Sequence, residues 1–168
     1  MTLQTDHVSE MVQGAVESGA RKLGRSEAET LQAIRGGDCS ICESVRYGLA
    51  NRIAEYLGSV DPTVKAIYLY EPEYATEMDV AAPDRPNLTP GINMIVWAKR
   101  KSAALFSVVA SLNSALADEA KRLACPKANA LCWMLDTQIV DDEQVRERSG
   151  FGALIQSIYV RPIEIWCR

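Results

Sequence analysis

INMIVWAKRKSAALFSVVASLNSALADEAKRLACPKANALCWML, residues 92–135, is the stretch on which the fold turns. Ile92 to Ala98 is apolar on both alternating faces apart from Asn93, the pattern of a strand covered on both sides. From Ser102 to Ala124 the period changes. Leu105, Val109, Leu112, Leu116 and Leu123 then line one face of a long helix. Ala130 to Leu135 returns to strand-like composition. A strand, a helix and a second strand predict a right-handed crossover between parallel neighbours.

Upstream, Val64 to Tyr70 is another short run of β-branched and aromatic residues that reads as a buried strand. Between it and Ile92, the segment Glu71 to Gly91 carries Pro72, Pro83, Pro86 and Pro90 among five carboxylates. Proline removes a backbone donor and restricts the residue before it, so this segment is predicted to be a long loop. The first third of the chain is helical in pattern. Val8, Met11, Val12, Ala15 and Val16 recur at helical spacing within a helix from Val8 to about Leu23. Ser26 with Glu29 forms a capping box for a short helix that Gly36 and Gly37 stop. Ser40 with Glu43 repeats that signature before the stripe Val45, Leu49, Ile53 and Leu57, which is predicted to end at Gly58. Downstream, Ile163 to Cys167 alternates as a strand does, and Ala153 to Tyr159 fits a short helix or a strand equally well.

These readings give an α+β fold: N-terminal helices followed by a mixed sheet of about four strands with a long crossover helix. The 168 residues are expected to form a single domain, with a helical extension over 1–38 and an α/β core over 39–168. Hydrophobic residues at 48% and charged residues at 24% are ordinary globular usage. A net charge of −4 with scattered basic residues lacks the footprint of a chain that coats nucleic acid or anionic lipid, so neither is expected as a partner. Met1 to Glu10 shows no signal-peptide pattern and no apolar run is long enough to span a bilayer. The five cysteines, an odd number in a chain that needs no staples, predict free thiols in a reducing compartment, read as cytoplasm. The lone histidine, His7, is expected to be an exposed helix residue. That leaves no basis for a multi-histidine metal site or a Ser-His-Asp triad.

Several constellations could carry chemistry. Cys39-Ser-Ile-Cys42 opens a helix, where the dipole favours a thiolate, so a redox or metal-binding pair stands beside ordinary packing or capping. The thioredoxin-like pattern wants a strand just upstream, and here a helix and two glycines precede it. Lys99-Arg100-Lys101 sets three cations next to the orphan N–H groups of the long helix, as an anion site would, or as a solvated turn would. Ser149-Gly-Phe-Gly152 is read as a turn, since no P-loop lysine follows it. Asp136, Asp141, Asp142 and Glu143 could hold a divalent cation, though Asp142 and Glu143 also suit the cap of the short helix that follows.

Read in order, the helix from Glu43 to Leu57, the strand Val64 to Tyr70, the long loop, the strand Ile92 to Ala98, the long helix and a strand reaching Asp136 resemble the nucleotidyltransferase fold. The resemblance covers roughly residues 43–146. In that family the first strand ends in Gly-Ser, the second begins with two aspartates one residue apart, and a third carboxylate lies on the later strand. Together the carboxylates hold the magnesium ions that bridge the nucleotide phosphates. Here Glu71-Pro72 stands at the Gly-Ser position, and Gly91 and Asn93 stand where the two aspartates belong. Asp136 alone matches the third carboxylate. The resemblance therefore implies a degenerate member without catalytic residues, bound metal or cofactor, since one carboxylate among neutral groups holds Mg²⁺ weakly.

The functional expectation is a non-catalytic nucleotidyltransferase-like domain that binds a small anionic ligand or a protein partner through Glu71, Asn93, Lys99, Arg100, Lys101 and Asp136. The alternatives are a thiol-based redox or metal-binding protein using Cys39 and Cys42, and a structural homodimer.

Overall fold

A computed structural model describes residues 5–71, 91–123, 133–159 and 161–168, with the side chains of Thr5 and Cys39 excepted. The long loop after Glu71, the cysteines Cys125 and Cys132, and the first residues of the run from Ala130 lie outside the described residues. The fold is α+β. In chain order the described elements are helices α1 (Thr5–Leu23), α2 (Glu27–Gly36) and α3 (Cys39–Val60), strands β1 (Val64–Leu69) and β2 (Ile92–Ala98), helix α4 (Ala103–Arg122), strand β3 (Leu135–Val140), helices α5 (Asp142–Glu147) and α6 (Gly152–Ile155), and strand β4 (Ile163–Cys167).

The chain divides into two compact units, Met1–Ile53 with Ser107–Met134, and Ala54–Phe106 with Leu135–Arg168. The first is helical. Its starts and stops follow local chemistry. Ser26 accepts from Glu29 N while the Glu29 carboxylate takes the Ser26 N–H, and the Ser26 backbone contact holds the Glu29 carboxyl below its ordinary value. Gly37 closes α2 in the left-handed conformation at φ 82°, which glycine adopts without a Cβ penalty. Helix α3 starts earlier than the Ser40–Glu43 signature predicts. Asp38 is the cap, its Oδ1 accepting from Ser40 N at 3.1 Å and from Ser40 Oγ at 2.7 Å. A carboxylate can hold both donors and also suits the helix's positive end.

The second unit is built on a four-stranded mixed sheet in the order β3-β2-β1-β4. β1 pairs antiparallel with both β2 and β4, and β2 pairs parallel with β3 across the connection through α4, as the strand–helix–strand pattern requires. One prediction is displaced. The described strand β3 is Leu135–Val140, and Trp133 and Met134 of the predicted run Ala130 to Leu135 lie before it, because Leu-Asp-Thr-Gln-Ile-Val is half polar and its signal is weaker than that of the apolar run. Ala66, Tyr68, Tyr70, Ile95 and Val140 form one face of the sheet, covered by Val145 and Leu154 from the segment that holds α5 and α6. Ala153 to Tyr159, ambiguous by pattern, contains the end of the single-turn helix α6, and Ser149 to Gly152 is a turn in which Gly150 has φ 50°.

Gly58 does not end α3, which runs on to Val60. It is glycine for a different reason: a Cβ there would overlap the indole of Trp166 on β4.

Candidate functional site

Strands β2 and β3 start together. Asn93 lies in register with Asp136, Ile95 with Gln138 and Trp97 with Val140, so these side chains share one face of the sheet. At the amino end of this pair Tyr70 N donates to the Asn93 carbonyl at 3.1 Å, which brings the end of β1 and Glu71 alongside. Asn93 is 5% exposed. Its Nδ2 donates to the Gly91 carbonyl at 3.2 Å, a contact that fixes which way the amide points. Its Oδ1 is buried with no hydrogen-bond donor among the described residues. Next to it, Gln138 Nε2 donates to Asp136 Oδ1 at 2.9 Å. The ring of Tyr70 meets Phe151 at 5.5 Å and 57°, an edge-tilted contact that anchors the last residue before Glu71.

The carboxyl end of the same strands is organised differently. Lys65 Nζ lies 2.6 Å and 2.8 Å from the two oxygens of Asp142, and Trp97 Nε1 donates to Asp142 Oδ1 at 2.9 Å. The Lys65 ammonium also stands 5.2 Å from the centre of the Trp97 ring. The contact with Lys65, then the indole and the nearby Lys99, hold the Asp142 carboxyl below its ordinary value. Lys65 reaches this site because the β1–β2 register shifts between Val64 and Ala66. The cap of α5 is Asp141, whose Oδ1 accepts from Gln144 N at 2.9 Å, so the predicted capping role belongs to Asp141 rather than to Asp142.

The six candidate ligand residues therefore fall into two groups. Glu71, Asn93 and Asp136 gather at the amino end. Lys99, Arg100 and Lys101 are exposed beyond the carboxyl end, about 20 Å away along a seven-residue strand. One small ligand cannot touch both. Sequence reasoning missed Lys65 and Trp97; the available signal was a lone lysine inside the otherwise apolar run Val64 to Tyr70.

Among the described residues no group of three or more His, Cys, Asp or Glu side chains is placed to hold a metal ion. Cys42, in the first turn of α3, is buried, and Cys167 is exposed. His7 is exposed on α1 with Nδ1 3.5 Å from Glu10 Oε2. Among the described residues no helix is long and apolar enough to cross a membrane. Comparison with protein-family models, with curated proteins and with solved structures finds no match to this chain.

Proposed function

We propose that the chain is a non-catalytic binding domain of nucleotidyltransferase-like architecture that takes a small ligand at the amino end of β2 and β3. The observation that carries this reading is the buried side-chain amide oxygen of Asn93, Oδ1, which has no donor among the described residues and lies one strand from Asp136. A buried acceptor without a donor costs roughly 1–3 kcal/mol, so a ligand that supplies the donor recovers that energy on binding. Asn93 Oδ1, Asp136 and Glu71 are all acceptors. The ligand group that enters must donate hydrogen bonds, as the exocyclic amine of a nucleobase does. An amide with the two carboxylates Asp136 and Glu71 falls short of the set of negative ligands that holds a pair of Mg²⁺ ions, which supports binding without phosphoryl transfer.

Calorimetry with a panel of nucleosides and nucleotides, with and without Mg²⁺, tests the proposal. Binding that ignores Mg²⁺ and disappears in Asn93→Leu is expected. A tenfold or larger gain with Mg²⁺ would show a working metal site and sink the non-catalytic reading, and no binding across the panel would remove the nucleobase as ligand.

A second reading, a homodimer, is favoured by the large apolar side chains Ile158 and Tyr159, just before the outer strand β4, and Ile163, its first residue, all of which are exposed. Sedimentation that gives a monomer mass at all concentrations would count against it.

A further inference from the structure

The helical unit holds a cavity of about 230 Å³ between α1, α2 and α4. Its floor is apolar, made by Val12 and Val16 of α1, Leu31 of α2, and Leu123 just past the end of α4. Arg35 of α2 and Arg122 of α4 both stand in its lining. Arg35 Nε donates to the Leu123 carbonyl at 3.3 Å, which ties α2 to the end of α4. Arg122 grips Glu119 through Nε at 2.8 Å and Nη2 at 2.5 Å.

Both arginines have structural duties, and neither duty uses the whole fork. A guanidinium has five N–H groups. Arg35 uses one of them and Arg122 two, so both keep donors that no contact among the described residues occupies. The carboxylates of the wall do not cancel these donors equally. Glu119 is 4% exposed and takes three hydrogen bonds, because Ser9 Oγ donates to its Oε2 at 3.0 Å in addition to the Arg122 pair. Glu27 is exposed two helical turns from Arg35, about 12 Å along α2, and lies in the first turn, where the helix dipole compensates its charge. The unmet capacity of the cavity is therefore two planar donors in its lining above an apolar floor. That arrangement matches a carboxylate, which guanidinium groups recognise edge-on.

We infer that this cavity binds a small monocarboxylate with a compact apolar body, its carboxylate held between Arg35 and Arg122 and its body on Val12, Val16 and Leu31. The volume is below the roughly 300–1,000 Å³ of sites that take drug-sized ligands, which limits the body to the size of a phenyl ring or a short acyl chain. The site is separate from the amino end of the sheet and does not depend on the function proposed there.

The test uses the full chain and two probes, benzoate and hexanoate, followed by ligand-observed NMR and calorimetry. Benzamide and acetate serve as the uncharged and the bodiless controls. Dissociation constants of about 1 mM or tighter are expected for the probes, with at least tenfold weaker binding for both controls. Arg35→Gln should weaken benzoate at least tenfold. Because that change also removes a bond to the end of α4, Leu31→Trp, which fills the cavity while leaving both arginines in place, is the second variant and should also abolish binding. Equal affinity for benzamide, unchanged binding in Leu31→Trp, or no binding of either probe to the wild-type chain would overturn the inference.

Discussion

The two ends of the four-stranded sheet are built from the same strands and use their polar groups in opposite ways. At the carboxyl end most polar groups are closed on one another, with Gln144 Oε1 on α5 buried without a partner among the described residues. Lys65 and Trp97 meet on Asp142, Thr63 N and Oγ1 both donate to Asp61 Oδ1, Lys99 N donates to the Thr63 carbonyl, and Arg168 donates from its backbone to Lys65 and from its side chain to Gly58. At the amino end Asn93 keeps a buried acceptor that no described residue serves. The difference teaches that density of charge is a poor guide to a binding site: at the more highly charged end Lys65, Asp61, Asp142 and Arg168 are committed to holding the strands together, while Asn93 at the other end has an acceptor left for a ligand.

The comparison can be broken in several places. The largest effect is expected at Gly58, where a methyl group must displace the Trp166 indole and with it the outer strand. Gly58→Ala should lower stability by about 2–3 kcal/mol in urea unfolding. The double variant with Trp166→Leu should recover more than half of that loss; if it recovers none, the close approach is not what requires glycine.

Asp142→Ala should cost about 1 kcal/mol, a figure discounted because Lys65 and Asp142 are 44% and 40% exposed. The same contact has a pH signature. Because the folded carboxyl titrates below its ordinary value of 3.8, its contribution is complete above that value and is lost as the pH falls through the lower folded value. Wild type and Asp142→Ala should therefore differ in stability at pH 7 and converge below pH 3.8, read from urea midpoints across the acid range. A gap that persists at low pH would mean the lost stability came from packing.

Asn93→Leu should behave in the opposite way, changing stability by less than about 1 kcal/mol in either direction, because removing a donorless acceptor offsets losing the bond to Gly91. A loss of 2 kcal/mol or more would make Asn93 a structural residue like Asp142 and erase the contrast between the ends. The smallest effect belongs to the basic turn. Lys101→Glu replaces a cation that opposes the α4 dipole and should raise stability by about 0.5 kcal/mol, seen as a small upward shift in the thermal midpoint. A decrease would show that Lys101 serves a folded-state contact.

Most of the secondary structure was legible because periodicity and caps are local properties of the chain. Ser26, Glu29 and Gly37 do what their spacing predicts, and Ile92 to Ala98 is a strand to the residue. The misreadings have two causes. At Asp38 a nearby acceptor takes the capping role expected of Ser40, and at Gly58 and Asp142 the deciding partner is a residue far along the chain. Gly58 carries the composition of a helix stop, yet its partner is Trp166, more than one hundred residues on, and no short window contains both. The pairing of Asn93 with Asp136 was foreseeable only in outline, since a parallel crossover makes the strands neighbours but does not set their register. The separation of Lys99 to Lys101 from Glu71 follows from strand direction, which sequence order alone does not reveal. Nothing in the sequence put Arg35 and Arg122 in the lining of one cavity, because they lie on helices that meet only in the folded unit.

The antiparallel pairing of Ala66 with Cys167 also sets a timetable. β1 is synthesised with one side waiting for a strand that lies about 100 residues downstream, an interval on the order of 5–20 s at ordinary rates of translation. For that time the β1 side destined for β4 is an open template for any passing strand. The nascent chain should therefore be most prone to aggregation between the emergence of β3 and that of β4, and chains halted in that window are the ones a ribosome-associated chaperone would be expected to hold.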